Sequence, residues 1–182
     1  MVQEDKNKLD ISESILQYQH ALLERQDSKA ESLFTVLTLT SAVVVFMGSL
    51  VSEKLELTPA FLVAPFVLLL IVYFLVFMFV IFYALRVLGP HVTPLRKDLD
   101  QWEPSISFYQ GILSRKPEEY VSVVNTVTAE QKVLDNARQA YIVADILNYK
   151  VINMKKALEW MPVMFFSFTF ILILGIMIFL VF

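Results

Sequence analysis

The sequence predicts an all-α membrane protein with three transmembrane helices and a cytoplasmic helical bundle. Hydrophobic residues make up 57% of the 182 residues, whereas soluble domains usually contain about 45–50%. The excess falls in three blocks without Asp, Glu, Lys or Arg, at 32–52, 57–85 and 160–182. Each block reaches the length of about 20 residues that a helix needs to cross about 30 Å of hydrocarbon. We therefore expect transmembrane helices at 32–52, 59–87 and 160–182.

The distribution of Lys and Arg predicts how these spans are oriented. Of the 15 Lys and Arg residues, 4 precede the first span, 1 lies in the link at 53–58, and 10 lie between the second and third spans. Positively charged flanks remain in the cytoplasm. We therefore expect a cytoplasmic N-terminal helix at 1–31, an external link, a cytoplasmic sensor region at 89–159, and a C-terminus at the outer face.

The N-terminal segment has the pattern of an amphipathic helix. Asp10 and Glu13 have the spacing of a capping box, which predicts a helix start at this point. Apolar residues then recur at spacings of four, three and four, at Ile11, Ile15, Tyr18 and Leu22. Because no Pro or Gly separates this segment from the first span, we expect the helix to continue into the membrane.

The region between the second and third spans begins with a turn-rich connection. Residues 89–117 contain four Pro and two Gly, and the Gly-Pro pair at 89–90 is expected to end the second helix. Pro117 is expected to open a short helix, because Pro fits the first turn and the two Glu residues after it favour the helix dipole. Thr128 and Gln131 again have capping-box spacing, which predicts the start of the last helix.

The last helix carries the most regular pattern in the chain. Apolar residues alternate at spacings of four and three, at Val133, Ala137, Ala140, Ala144, Leu147, Val151, Met154 and Leu158. The residues expected to form the centre of this packing seam are Ala140, Ala144, Leu147 and Val151. Two interpretations stay open: the seam packs against the N-terminal helix of the same chain, or it joins copies in a homo-oligomer.

The spans themselves suggest packing rather than transport chemistry. They contain no ionisable residue, which argues against a pump, a secondary transporter or an intramembrane protease. Small or hydroxylated residues lie along one side of the first span, from Thr35 to Ser52. Such residues let helices approach closely in lipid. The alternative is that this side lines a polar path when several copies assemble.

The remaining composition argues against several functional classes. The chain has no Cys and two His residues that are far apart, so thiolate chemistry is excluded and a metal site has little to build on. It contains no GxSxG, Gly-rich phosphate loop or HExxH motif. A net charge of −3 gives no electrostatic footprint for nucleic acid. We expect no enzyme activity, no cofactor, no metal and no nucleic-acid partner.

Two parts of the chain together resemble a known family. The first is QDSKAESLFTVLTLTSAV at 26–43, and the second is KPEEYVSVV at 116–124 with ARQAYIVADILNYKVINMKKAL at 137–158. Asp-x-Lys-Ala before a first span, then Pro-Glu-Glu-Tyr, then a helix with Ala-x-x-x-Tyr and a later Lys, resembles the small transmembrane effectors of Pycsar anti-phage systems. The arrangement of the spans is also similar.

This resemblance implies a function and a set of partners. A partner nucleotide cyclase would detect phage and make a cyclic pyrimidine mononucleotide, cyclic CMP or cyclic UMP. The effector would sense this signal through its cytoplasmic part and damage the bacterial inner membrane, so that infected cells stop growing before phage spread. Two other classes stay open: a non-sensing membrane scaffold that docks a partner through the heptad helix, and a small constitutive channel.

A second stripe on the last helix is the candidate ligand-binding site. It lies beside the seam at spacings of three, four and three, and consists of Arg138, Tyr141, Asp145 and Asn148. It offers a guanidinium for a phosphate, a ring for base stacking and two hydrogen-bonding groups for a base edge or ribose. The alternative is a solvated flank of a helical bundle. The next candidates for the ligand are Arg96, Lys97, Arg115 and Trp102.

A third set of polar residues lies near the predicted membrane boundary. Asp27 and Lys29 precede the first span, and Lys150 lies at a similar depth on the last helix. These side chains are expected to have a structural role, tying the start of the first span to the last helix.

Overall fold

The computed structural model describes residues 2–54, 56–89, 105–106 and 109–181. These residues form five helices and no strand: α1 (Val2–Ser52), α2 (Ala60–Leu88), α3 (Tyr109–Leu113), α4 (Pro117–Thr126) and α5 (Ala129–Val181). Helix α1 continues through the first predicted span, as the absence of Pro and Gly predicted. Among the described residues, three helices are long and apolar enough to cross a membrane, which agrees with the predicted fold class.

Two predicted helix starts are confirmed. Pro117 occupies the first turn of α4, with Glu118 and Glu119 directly behind it. The capping box at the start of α5 also forms. The backbone N–H of Thr128 donates to Gln131 Oε1 at 2.9 Å, and the N–H of Gln131 donates to Thr128 Oγ1 at 3.2 Å.

The predicted helix start at Asp10 is wrong. Helix α1 already begins at Val2, so Asp10 and Glu13 lie inside a helix that has no free N–H groups there to cap. The physical reason is that residues 2–9 contain no Pro or Gly to stop the helix from extending. Glu13 instead accepts a hydrogen bond from Lys132 Nζ at 2.7 Å.

The chain divides into two compact units. The first, called the polar unit below, comprises Met1–Gln26 and Pro90–Tyr149. The second, called the span unit, comprises Asp27–Gly89 and Lys150–Phe182. Helices α1 and α5 each contribute to both units.

The core of the span unit repeats every seven residues on all three of its helices. The buried positions of this repeat are Ala30, Leu37, Val44 and Val51 in α1, Phe66, Tyr73, Val80 and Val87 in α2, and Ala157, Met164, Ile171 and Ile178 in α5. A strict seven-residue repeat keeps one face of a helix against its neighbours, as in left-handed coiled packing. The sequence hides this repeat, because the residues around it are equally apolar.

One polar contact lies within this apolar core. The side chain of Tyr73 is fully buried. Its hydroxyl donates to Thr40 Oγ1 at 3.1 Å and lies 3.2 Å from Ser41 Oγ. Hydroxyl groups within a membrane need such partners, since hydrocarbon offers none. Part of the hydroxylated side predicted on the first span therefore packs within the chain.

Other hydroxylated residues on this side of α1 are exposed. Thr35, Thr38 and Ser49 donate their hydroxyl hydrogens to carbonyl oxygens about one turn earlier in the same helix. Their own helix satisfies these groups without help from another helix. For these exposed residues, both predicted uses, helix packing and a polar path between copies, stay predictions.

In the polar unit, α1 and α5 meet through polar side chains. Asn136 Nδ2 donates to Ser12 Oγ at 3.1 Å, and both residues are buried. The ion pair between Lys132 and Glu13 lies at the exposed edge of this contact. The apolar face of the N-terminal helix lies elsewhere and is 51%, 47% and 64% exposed at Ile11, Ile15 and Tyr18.

The predicted seam on α5 only partly coincides with the face of α5 that is buried within a single copy. Ala140 is buried, Ala144 and Leu147 are half-buried, and Val151 is 43% exposed. Positions covered within the chain include Asn136, Gln139, Val143 and Lys150. The outer flank of the seam is accessible in a single copy, and its role between copies stays a prediction.

Candidate ligand-binding cleft

A cleft of about 470 Å³ opens in the polar unit between α4, the start of α5 and the segment at 105–106. Its volume falls within the range of about 300–1,000 Å³ that is usual for small-molecule sites. Four apolar residues line it, at Ile106, Val123, Val127 and Leu134. The polar lining consists of Arg115, Thr126, Thr128, Gln131, Asp135 and Arg138.

The buried carboxylate of Asp135 fixes one side of the cleft. Its Oδ2 accepts hydrogen bonds from Ser105 Oγ at 3.1 Å, from the N–H of Ile106 at 3.2 Å, and from Gln139 Nε2 at 3.1 Å. Gln139 also donates to Ser105 Oγ at 2.9 Å. A buried carboxylate oxygen needs such donors, because an unsatisfied polar atom in the interior is costly. Asp135 therefore fastens the non-helical segment at 105–106 to α5.

Arg115 fastens the same segment to α3. Its Nη1 donates to the carbonyl oxygens of Ser105 and Gly111, each at 3.0 Å. A Cβ added to Gly111 would collide with the backbone of Ser105, so this close approach requires glycine. The contacts hold one guanidinium group at the wall of the cleft.

Of the four predicted ligand-binding residues, the structure brings Arg138 into the cleft. Arg138 is half-buried and lies one helical turn beyond Asp135. Tyr141, Asp145 and Asn148 do not line this cleft, because they follow further along α5. Tyr141 is 44% exposed, Asn148 is exposed and Asp145 is half-buried.

The next candidates from the sequence have different placements. Arg115 lines the cleft together with Arg138. Arg96, Lys97 and Trp102 lie outside the described residues.

The lining suits a small anion that also carries an apolar or aromatic part. Each guanidinium can bond two oxygens of a phosphate at once. Arg115 and Arg138 against Asp135 leave an excess of one positive charge. Val123, Val127 and Leu134 offer apolar contact for a ring. Within the described residues, no group of three or more His, Cys, Asp or Glu could hold a metal ion.

Sequence reasoning missed Asp135 and Gln139. Their spacing of four places them side by side on one helix face, which is a weak signal for a polar cluster. The strongest sequence pattern of this helix, the apolar seam, lies on another face. Their partner Ser105 lies 30 positions before Asp135, and no local pattern reveals such a distant contact.

The juxtamembrane residues lie in the span unit. Lys150 Nζ donates to Asp27 Oδ1 at 2.5 Å, and the two side chains are 10% and 39% exposed. A lysine this buried needs a counter-charge. The pair therefore links α1 to α5 where the apolar core begins, while Lys29 is exposed.

Comparison with known families decides what kind of protein this is. The family model described as a Pycsar effector protein domain matches residues 11–182, a range that includes the cleft and the apolar spans of all three long helices. The chain belongs to the Pycsar effector family. It is therefore a transmembrane effector of cyclic-nucleotide anti-phage defence. No curated protein and no solved structure matches the chain of this Pycsar effector.

Proposed function

We propose that this Pycsar effector binds a cyclic pyrimidine mononucleotide, cyclic CMP or cyclic UMP, in the cleft of the polar unit. Binding changes the span unit so that the bacterial inner membrane loses its barrier. A partner nucleotide cyclase makes the ligand during infection, and the infected cell stops growing before phage spread. The effector works as a homo-oligomer, without catalysis and without a cofactor.

The observation that carries this proposal is the pair of guanidinium groups in a cleft that also has apolar walls. A cyclic mononucleotide presents a phosphate with a single negative charge, which matches the excess positive charge of Arg115, Arg138 and Asp135 together. Arg115 is held by backbone carbonyls at the wall of the cleft. Arg138 is the residue of the predicted ligand-binding stripe that lines the cleft, so it is the candidate that we test for direct phosphate contact. The base would lie against Val123 and Val127.

Thermal stabilisation of the detergent-purified protein tests ligand binding. A panel of cyclic mono- and dinucleotides should identify cyclic CMP or cyclic UMP as the ligand that raises the unfolding midpoint. Arg138→Ala should insert and fold normally but bind this ligand about 10- to 150-fold more weakly, since a hydrogen bond to a charged group contributes about 1.5–3 kcal/mol.

Lys116→Ala is the matched control. Lys116 is exposed and next to Arg115, but it does not line the cleft, so this variant should bind like the wild type. Wild-type affinity in Arg138→Ala would remove Arg138 from the site and leave Arg96, Lys97, Arg115 and Trp102 as candidates. Failure of every nucleotide in the panel would contradict sensing and favour a scaffold that docks a partner protein.

Dye release from lipid vesicles that contain the purified effector tests the membrane step. The proposal predicts release only after the stabilising nucleotide is added. Release without any nucleotide would instead support a constitutive channel. A nucleotide cyclase gene beside the gene for this chain would further support the partner part of the proposal.

The proposed orientation rests on the asymmetry of Lys and Arg around the spans. A reporter that is active only in the periplasm should be active when fused at residue 55 and silent when fused at residue 125. Activity at residue 125 would place the polar unit outside the cytoplasm, where a cytoplasmic cyclase could not supply its ligand.

A further inference from the structure

An apolar stripe on α1 lies on the surface of the polar unit. It follows spacings of four, three and four at Ile11, Ile15, Tyr18 and Leu22, and Arg25 follows at the next spacing of three. Its first three members are 51%, 47% and 64% exposed. Ser12, which is buried against α5, lies on another side of α1. Three large apolar side chains are thus left accessible outside the apolar spans.

A matching stripe lies on α5 in the same unit. Ala137, Tyr141, Ala144 and Asn148 follow spacings of four, three and four, and none of them is buried. The two Ala residues leave gaps between larger neighbours, whereas the α1 stripe presents Ile and Tyr. In knobs-into-holes packing each side chain inserts between four residues of the facing helix, and small Ala residues there allow the helices to approach closely.

The two stripes also occupy matching positions along the helix axes. Asn136 of α5 donates a hydrogen bond to Ser12 of α1, at a sequence separation of 124. Each residue of α1 in this unit therefore lies beside the α5 residue whose number is 124 higher. Ile15 is therefore level with residue 139, between Ala137 and Tyr141. Each member of the α5 stripe lies two residues further along its helix than the matching member of the α1 stripe. At about 1.5 Å per residue this is a displacement of about 3 Å along the helix axis. Side chains of one stripe would interleave with those of the other if two copies stood at equal height.

Charges at the end of the stripes are complementary. Arg25 ends the α1 stripe, is exposed, and is level with residue 149. Helical side chains lean toward the helix N-terminus, so its guanidinium reaches the height of Asp145. Asp145 flanks the α5 stripe between Tyr141 and Asn148. An Arg25 of one copy would therefore meet an Asp145 of its neighbour.

We propose that the α1 stripe of one copy packs against the α5 stripe of the next copy. The spans hold every copy in the same orientation, so neighbours are related by rotation about the membrane normal. Different surfaces then meet at each contact, and the arrangement closes into a ring. This proposal specifies the homo-oligomer of the proposed function, and it assigns Asp145 and Asn148 to the interface between copies rather than to the ligand.

Cysteine cross-linking tests the proposal directly, because the chain has no Cys of its own. Two differently tagged copies, one with Ile15→Cys and the other with Ala137→Cys, are expressed together in one membrane. Mild oxidation should join them, since the contact brings the two Cβ atoms to disulfide distance. Gln17→Cys replaces Ile15→Cys as the control, because Gln17 is exposed and lies about 200° around α1.

Charge exchange provides the second test. Arg25→Asp alone and Asp145→Arg alone should each lower the Ile15–Ala137 cross-link, and the two together should restore it. A cross-link no stronger than with Gln17→Cys would overturn the proposal, as would stronger joining of two Ile15→Cys copies to each other. If nucleotide stabilisation persists in either case, the interface is rejected while ligand sensing stands.

Discussion

The two units share helices α1 and α5, yet they differ in the balance of the side chains that they bury. The span unit buries an apolar seven-residue repeat that includes Ile171 at full burial. The polar unit buries Asp135, Asn136 and Gln139, which are held by hydrogen bonds. An apolar core loses contacts when its helices move, whereas hydrogen bonds can be exchanged for others at small net cost. This difference is consistent with the proposed function, in which the polar unit responds to a ligand and the span unit holds the chain in the membrane.

One buried polar atom strengthens this contrast. Where side chains are described, Gln19 Oε1 is a buried oxygen without a hydrogen-bond partner, and it belongs to the polar unit. A buried acceptor left unsatisfied costs about 1–3 kcal/mol. A donor supplied to Gln19 Oε1 would therefore add stability to the polar unit.

The largest expected effect is in the span unit. Ile171→Ala removes a fully buried side chain from the repeat and should lower stability by about 2–5 kcal/mol, the usual range for this truncation in a packed core. Thermal unfolding in detergent measures it. Ile173→Ala is the control, because Ile173 is 49% exposed on the same helix. Equal effects of the two variants would show that the seven-residue repeat is not the core.

A smaller effect is expected in the polar unit. Asp135→Ala leaves the donors of Ser105, Ile106 and Gln139 without their shared acceptor and should cost about 1–3 kcal/mol. Faster amide hydrogen exchange at residues 105–115 should reveal the loosened segment, with exchange in the span unit unchanged. Asp10→Ala, at an exposed position, should leave exchange as in the wild type. Unchanged exchange in Asp135→Ala would mean that this carboxylate does not hold the cleft.

The smallest expected effect tests hydrogen bonding inside the span unit. Tyr73→Phe removes the hydroxyl that bonds Thr40 and Ser41 but keeps the buried ring. Hydrogen bonds between membrane helices contribute about 0.6 kcal/mol on average, so the unfolding midpoint should change little. A loss of stability as large as that expected for Asp135→Ala would contradict the proposed difference between the two units.

The sequence predicted the elements well because their signals are local. Charge-free blocks indicate the spans, and the capping box of Thr128 and Gln131 marks the start of α5. The false start at Asp10 shows the limit of such motifs, since capping-box spacing also occurs inside helices. The seven-residue repeat of the spans escaped notice because lipid-facing and core-facing residues are equally apolar there.

The candidate site was predicted only in part. Arg138 was found because a helical stripe is a local pattern, but Tyr141, Asp145 and Asn148 on the same stripe do not line the cleft. The cleft depends on contacts between α4, α5 and residues 105–106, which are separated in sequence. Asp135 and Arg115 belong to it through bonds to Ser105, and only the folded arrangement reveals them.

Hydrogen exchange with and without the stabilising nucleotide tests the division of roles most directly. With cyclic CMP or cyclic UMP bound, amides of α4 and the start of α5, residues 117–138, should become protected. Amides near the centre of the apolar repeat in the span unit should exchange as slowly with the nucleotide as without it. Absence of protection in residues 117–138, or protection confined to the spans, would contradict the assignment of sensing to the polar unit.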